Sequence, residues 1–122
     1  MVTGARQRLG RLGERLAAEH LERLGYRIVV RNHQTRLGEI DLIACDGERL
    51  VFVEVKARRS GPGRPLEKVD WRKQGQVRAM AVGWLSETDD RPHRPEVRFD
   101  AIGVVVDDAG KLVELEHLEA AF

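Results

Sequence analysis

A chain of 122 residues, 42% hydrophobic and 34% charged with a formal net charge of +1, has the length and balance of a single folded domain with a real core. Its lone Cys45 excludes an internal disulfide and a cysteine zinc site, and no uninterrupted apolar run is long enough to form a membrane helix. The first residues lack the charged-then-apolar pattern of a secretory leader, so the expectation is a cytoplasmic protein that does not engage a membrane.

In chain order, Leu9, Leu12, Leu16, Ala17, Leu21 and Leu24 repeat at three- and four-residue steps, which predicts a helix over 7–24 stopped by Gly25. Residues 26–31 are rich in β-branched side chains and predict a short strand closed by Asn32. Segments 38–44 and 50–56 read as two strands, and Asp46-Gly47 between them is a hairpin signal, with Cys45 a turn residue. Residues 57–65 form a flexible basic loop rich in Gly and Pro, and Pro65 can open a helical turn. Asp70 is placed to N-cap a helix that runs to about Leu85 and buries Val77, Met80, Ala81, Trp84 and Leu85, with Lys73 on the same stripe. A polar loop over 86–96, a strand over 97–106, a turn over 107–110 and a strand over 111–116 complete the chain. The order helix, three strands, helix, two strands implies an α/β fold, a mixed sheet flanked by helices in one domain spanning 1–122.

The small net charge conceals an alternation. Residues 1–36 hold eight arginines against three acids, and residues 56–78 hold eight basic residues against two acids. Residues 37–55 and 79–122 are acidic, with five acids to one base and ten to four. Arginine outnumbers lysine seventeen to four. Its fork matches phosphate geometry, so basic segments beside an acidic motif point to an anionic polymer as partner.

The acidic motif lies in the two central strands. Strand side chains alternate between faces, so Glu39 and Asp41 share one face, as do Glu54 and Lys56. Folding about Asp46-Gly47 brings the two pairs into cross-strand reach. Two carboxylates about 5 Å apart repel by roughly 3 kcal/mol at an effective dielectric near 20. Such a cluster must protonate, pair with cations or hold a metal. One reading is a salt-bridge ladder on a solvated sheet face. The other is a divalent-metal site for cutting a phosphodiester, with Asp41 and Glu54 as ligands and Lys56 orienting water and stabilising charge. The flanking Ile40, Leu42, Ile43, Val51, Phe52, Val53 and Val55 describe strands buried on both faces, where charges need a reason.

Asp41, then twelve intervening residues, then Glu54-Val55-Lys56, is similar to the D…(D/E)-x-K motif of restriction-endonuclease-like nucleases. The likeness widens to Gly13-Glu14, Gly25-Tyr26, Arg31-Asn32, the run Gly38-Glu39-Ile40-Asp41-Leu42-Ile43-Ala44, Phe52-Val53-Glu54-Val55-Lys56, Arg58, Lys73, Arg98-Phe99-Asp100 and His117 to Ala121-Phe122. Over nearly its full length the chain resembles the bacterial YraN-like family, which looks like the archaeal Holliday-junction resolvases in fold. The resemblance implies a restriction-endonuclease-like αβββαβ core with its metal site at the sheet edge. It further implies Mg²⁺ or Mn²⁺ held by Asp41, Glu54 and the Val55 carbonyl, catalysis by these two acids with Lys56, and an assisting Glu14 on the first helix. By the same analogy a homodimer is expected, since resolvases cut two strands. Ile40 stands where such nucleases often carry proline.

The remaining expectations come from the residues. Glu39 stands behind the ligands as an acceptor. Arg58, Arg59, Arg64 and Lys73 hold the nucleic-acid backbone, giving shape-dependent and salt-dependent binding. Lys73 could instead lay its stem over core surface, and Glu14 could be an ordinary exposed helix acid. Arg98 and Asp100 share a strand face and read as a structural ion pair. His20, His33, His93 and His117 show no metal spacing. The expected function is a metal-dependent endonuclease acting on branched or structured DNA. Its alternatives are a non-catalytic nucleic-acid-binding module on the same fold, or an interaction protein whose acidic C-terminal third docks a basic partner.

Overall fold

The computed structural model describes residues 2–66, 70 and 72–122, the first two of these by their backbone alone. Its elements are α1 (Val2–Arg23), β1 (Arg27–Thr35), β2 (Gly38–Cys45), β3 (Arg49–Arg59), α2 (Lys73–Glu87), β4 (Glu96–Val106) and β5 (Leu112–Leu118). The strands form one sheet in the order β1-β2-β3-β4-β5. The first three make an antiparallel meander, β4 lies parallel to β3 across the α2 connection, and β5 returns antiparallel. This is an α/β fold consistent with a restriction-endonuclease-like core. Among the described residues no helix is long and apolar enough to cross a membrane.

Each helix covers one face of the sheet. Ala17, Ala18 and Leu21 of α1 pack on Leu42, Ala44, Val51, Val53, Ile102, Val104 and Val106. Val77, Met80, Ala81 and Trp84 of α2 pack on the opposite face, against Ile40, Ile43, Cys45, Leu50 and Phe52. The predicted α2 stripe is therefore the buried one. A sheet covered on both sides explains why β2 and β3 are apolar almost throughout.

Two glycines set where α1 sits. A Cβ at Gly13 would lie 2.5 Å from the Ala57 Cβ, so glycine lets the helix touch β3 there and lowers its neighbour Glu14 onto the sheet. Gly25 (φ 96°) ends the helix as a left-handed cap. Its N–H donates to the Glu22 carbonyl and that of Tyr26 to the Leu21 carbonyl, both at 3.0 Å.

Several sequence expectations change. The helix begins earlier than residue 7, and Leu24 lies outside the stripe, 54% exposed. Asn32 does not close β1: it sits inside the strand with φ 55° while pairing continues to Thr35. Cys45 is no turn residue but the buried last residue of β2, packed on the α2 side. The hairpin closes as expected, though through the Asp46 side chain, which accepts the Glu48 and Arg49 N–H groups at 2.8 and 2.7 Å. The N-cap of α2 is Arg72 without a side-chain bond, so Asp70 is not the cap. It stands two residues earlier, accepting the Arg72 N–H at 3.0 Å on its side chain and the Lys73 N–H at 3.1 Å on its carbonyl. Pro65 and Leu66 form a turn, and any helical continuation over 67–69 falls outside the described residues.

Candidate metal centre in a sheet fork

The site arises where the sheet opens. Strands β2 and β3 pair only through Leu42–Cys45 and Leu50–Val53, although β2 starts at Gly38 and β3 runs on to Arg59. Beyond that ladder β2 stays with β1, and β3 stays with β4. Continuing the register places Asp41 across from Glu54 and Glu39 across from Lys56, at the mouth of the fork. Alternation slips there as well: Ile40 joins Ile43 and Cys45 on the α2 side, whereas Leu42 and Ala44 face α1. Asp41 sits at the slip. Its Oδ2 accepts the Val55 N–H at 2.7 Å, replacing the missing strand-to-strand bond.

The fork opens into a cleft of about 420 Å³ whose walls include Glu14, Glu39, Asp41, Glu54, Lys56 and Lys73. Its charges fall into two groups joined by Asp41. On one side, carboxylate oxygens of Glu14, Glu39 and Asp41 lie within 4.8 Å of one another. On the other, Glu54 Oε1 faces Lys56 Nζ at 3.2 Å and Lys73 Nζ at 3.9 Å. Lys73 therefore reaches the acid cluster from the first turn of α2.

Burial pushes the Asp41 carboxyl up, and the charges of Glu14, Glu54 and Glu39 add to it. The Val55 hydrogen bond opposes them, and the balance stands at about 7. Burial raises Glu14 too, against the lowering effect of Arg11. Arg11 Nη1 lies 2.8 Å from Glu14 Oε1 and 3.2 Å from Glu39 Oε1, and also donates to Asn32 Oδ1. Gln34 donates to the other Glu39 oxygen. Glu39 thus has partners of its own while its carboxylate lies with those of Glu14 and Asp41.

The arginines expected in a loop over 57–65 are placed otherwise: β3 runs on through Arg58 and Arg59, and Arg64 alone of the three lies beyond it. Arg58 donates to the carbonyls of Arg59, Gly61 and Gly63, Arg59 to that of Asp107, and Arg64 to the Glu116 carboxylate. The Ser60 N–H and hydroxyl both bond the Val106 carbonyl. The loop is braced against the sheet rather than left flexible, and its arginines supply the braces.

A second buried carboxylate lies outside the cleft. Asp100 is fully buried and accepts Arg98 Nε and Nη2 at 2.8 and 2.9 Å, His117 Nε2 at 2.8 Å and the Ala120 N–H at 3.1 Å. Arg98 also donates to the Tyr26 hydroxyl, and His117 Nδ1 meets His20 Nε2 at 3.0 Å. Burial alone would raise the Asp100 carboxyl. Its hydrogen bonds from His117, Arg98 and Ala120 outweigh that and hold it below the usual range. The structural ion pair expected of Arg98 and Asp100 is present and larger than expected.

Sequence reasoning missed Arg11, Asn32, Gln34 and Gln76 around the cleft. Arg11 had a readable signal, because a residue three before Glu14 on a helix shares its face. Gln76, whose Nε2 donates to the Leu37 carbonyl at 2.5 Å and ties α2 to the β1–β2 turn, had none.

Comparison with known proteins places this geometry in a family. The model of the uncharacterised protein family UPF0102 matches residues 13–104, the stretch that carries Glu14, both fork strands and Asp100. A UPF0102 protein of Pelotomaculum thermopropionicum is 45% identical across 99% of this chain and all of its own length. One from Chlorobaculum tepidum is 46% identical across 97% of this chain and 94% of its own, and one from Rhodococcus opacus 45% across 93% and 95%. This chain belongs to the UPF0102 family, the YraN-like proteins.

Proposed function

We propose that this protein is a metal-dependent endonuclease that hydrolyses phosphodiester bonds in DNA, branched or otherwise structured DNA being the substrate class. One observation carries the reading. Asp41 is a half-buried carboxylate with one backbone N–H as its hydrogen-bond donor and three acidic neighbours, and it is held near 7. The other three acids have cationic partners and Asp41 has none, so a cluster of hard oxygen donors is left that suits a divalent cation, which removes the repulsion that otherwise keeps a proton there.

Asp41, Glu54 and the Val55 carbonyl are the donors for Mg²⁺ or Mn²⁺. The carbonyl leaves the same edge of β3 as the Val55 N–H that bonds Asp41. A bound ion supplies Lewis-acid charge at the phosphate and lowers the pKa of a water. Lys56, 3.2 Å from Glu54, orients the attacking water and donates to phosphate oxygens as negative charge grows on them. Glu14 closes the cleft from α1. With the loop arginines engaged in bracing, backbone contacts fall to Lys73 and to exposed arginines of β1 and its following turn, Arg31 and Arg36. A homodimer would present two such clefts to two strands.

The test is cleavage of labelled four-way and flap DNA with Mg²⁺ or Mn²⁺. Lys56→Ala should lower the rate by about 100-fold or more while DNA binding in Ca²⁺ persists. Undiminished cleavage by Lys56→Ala would remove this site from the reaction. An inert wild type that still binds DNA would leave the non-catalytic binding module.

A further inference from the structure

Arg11 makes an uneven set of contacts. Its three partners, Glu14 Oε1, Glu39 Oε1 and Asn32 Oδ1, are all reached through one nitrogen, Nη1. Among the described residues, Nε and Nη2 have no partner, and the side chain is 54% exposed. Those two nitrogens form the edge of the guanidinium that grips two oxygens of a phosphate in parallel. Three elements hold the group in place: Glu14 from α1, Asn32 from β1 and Glu39 from β2. Asn32 does so from a left-handed backbone conformation that few residue types other than Gly, Asn and Asp adopt.

We infer that Arg11 is a phosphate clamp: its Nη1 is anchored to the acidic wall of the cleft, and its free Nε–Nη2 edge takes one backbone phosphate of the substrate beside the cut. This rests on the nuclease reading above. Three features support it. The guanidinium bonds two acids that line the cleft, Glu14 and Glu39, and Arg11 lies in sequence between the lining residues Gly10 and Glu14. Its charge is permanent, so the clamp needs no titration. Its anchors also remove most of its rotational freedom in advance, so little ordering remains to oppose binding. Arg58 is the contrast, with both of its Nη nitrogens bonded to carbonyls of Arg59, Gly61 and Gly63.

A phosphate contact of this kind reads no base, so its loss should weaken binding equally across sequences. The experiment measures binding of a four-way junction in Ca²⁺, without cleavage, for wild type, Arg11→Ala and Arg11→Lys, at several salt concentrations. Arg11→Ala should weaken binding about tenfold and lower the slope of log K against log salt by about 0.9. Arg11→Lys should keep the slope and lose part of the affinity, since an ammonium lacks the fork. Single methylphosphonate substitutions along the junction then supply the readout that a merely structural arginine would not move. At one position beside the cut, wild type should lose affinity and Arg11→Ala should lose nothing further. Equal binding and equal slopes for wild type and Arg11→Ala would overturn the clamp, as would losses at every methylphosphonate that are the same for both proteins. Absence of DNA binding by wild type would instead overturn the nuclease reading itself.

Discussion

Asp41, half-buried in β2, and Asp100, fully buried in β4, are both strand aspartates, and their surroundings drive them in opposite directions. Asp100 receives two guanidinium N–H groups, an imidazole and a backbone N–H, and sits below the usual carboxylate range. Asp41 receives one backbone N–H, faces three carboxylates and sits near 7. Burial raises the carboxyl in both cases; the hydrogen-bond donors around Asp100 outweigh it, and the one donor to Asp41, set against three acidic neighbours, does not. A saturated carboxylate ties the C-terminal residues to β4. An unsaturated one invites a cation from outside.

The largest test of that contrast is stability. Asp100→Ala leaves Arg98 and His117 buried without their partner and should cost about 3–5 kcal/mol. Asp41→Asn removes a like charge from an acidic cluster and should leave stability unchanged or raised near pH 8. Urea unfolding of the two variants checks this, and comparable losses from both would erase the distinction.

Proton linkage sharpens it further. The folded Asp41 keeps its proton up to about 7, whereas the unfolded chain releases it near 4. Between those values the folded state binds more protons, so the Asp41 contribution makes stability fall as pH rises. Asp100 works in the other window. Its folded carboxyl lies below the unfolded one, so its stabilisation is present above about 4 and is lost as pH falls through the folded value. Denaturation midpoints from pH 3 to 8 should show a maximum between the two limbs, and Asp41→Asn should flatten only the upper one.

Divalent ions should act on one aspartate alone. Ten times the dissociation constant of Mn²⁺ should stabilise wild type by about 1.4 kcal/mol. The effect should be larger at pH 8 than at pH 6, because Asp41 must lose its proton first. A thermal scan of Asp41→Asn should show no such gain. An equal gain in that variant would move the ion elsewhere.

Much of this was legible in the sequence, for definite reasons. Period-two alternation fixes which residues of β2 and β3 can face one another, so Asp41, Glu54 and Lys56 could be grouped without coordinates. The stripe from Val77 to Trp84 repeats at helical spacing and buries as expected. The fork was not legible, because it is an absence of pairing imposed by what β1 and β4 do on either side. The meeting of His20 and His117, 97 residues apart, depends on how α1 crosses the sheet. The fate of the loop arginines depends on carbonyl directions in an irregular segment, for which residue type gives no rule. Hence residue type alone suggested phosphate contacts at Arg58, Arg59 and Arg64 and gave no sign of the bonds they make within the protein.

The smallest expected effect extends the same donor count from carboxylates to arginines. Arg58 donates to three carbonyls, while the exposed Arg36 beside the cleft has no side-chain partner among the described residues. Arg58→Ala should cost about 1 kcal/mol of stability and leave the salt dependence of DNA binding nearly unchanged. Arg36→Ala should leave stability unchanged and reduce the salt slope by up to about 0.9. The reverse pattern in salt titrations of junction binding would mean that the loop lets go of Arg58 when DNA arrives. Counting partners in the free protein would then fail as a guide to which cations a substrate can recruit.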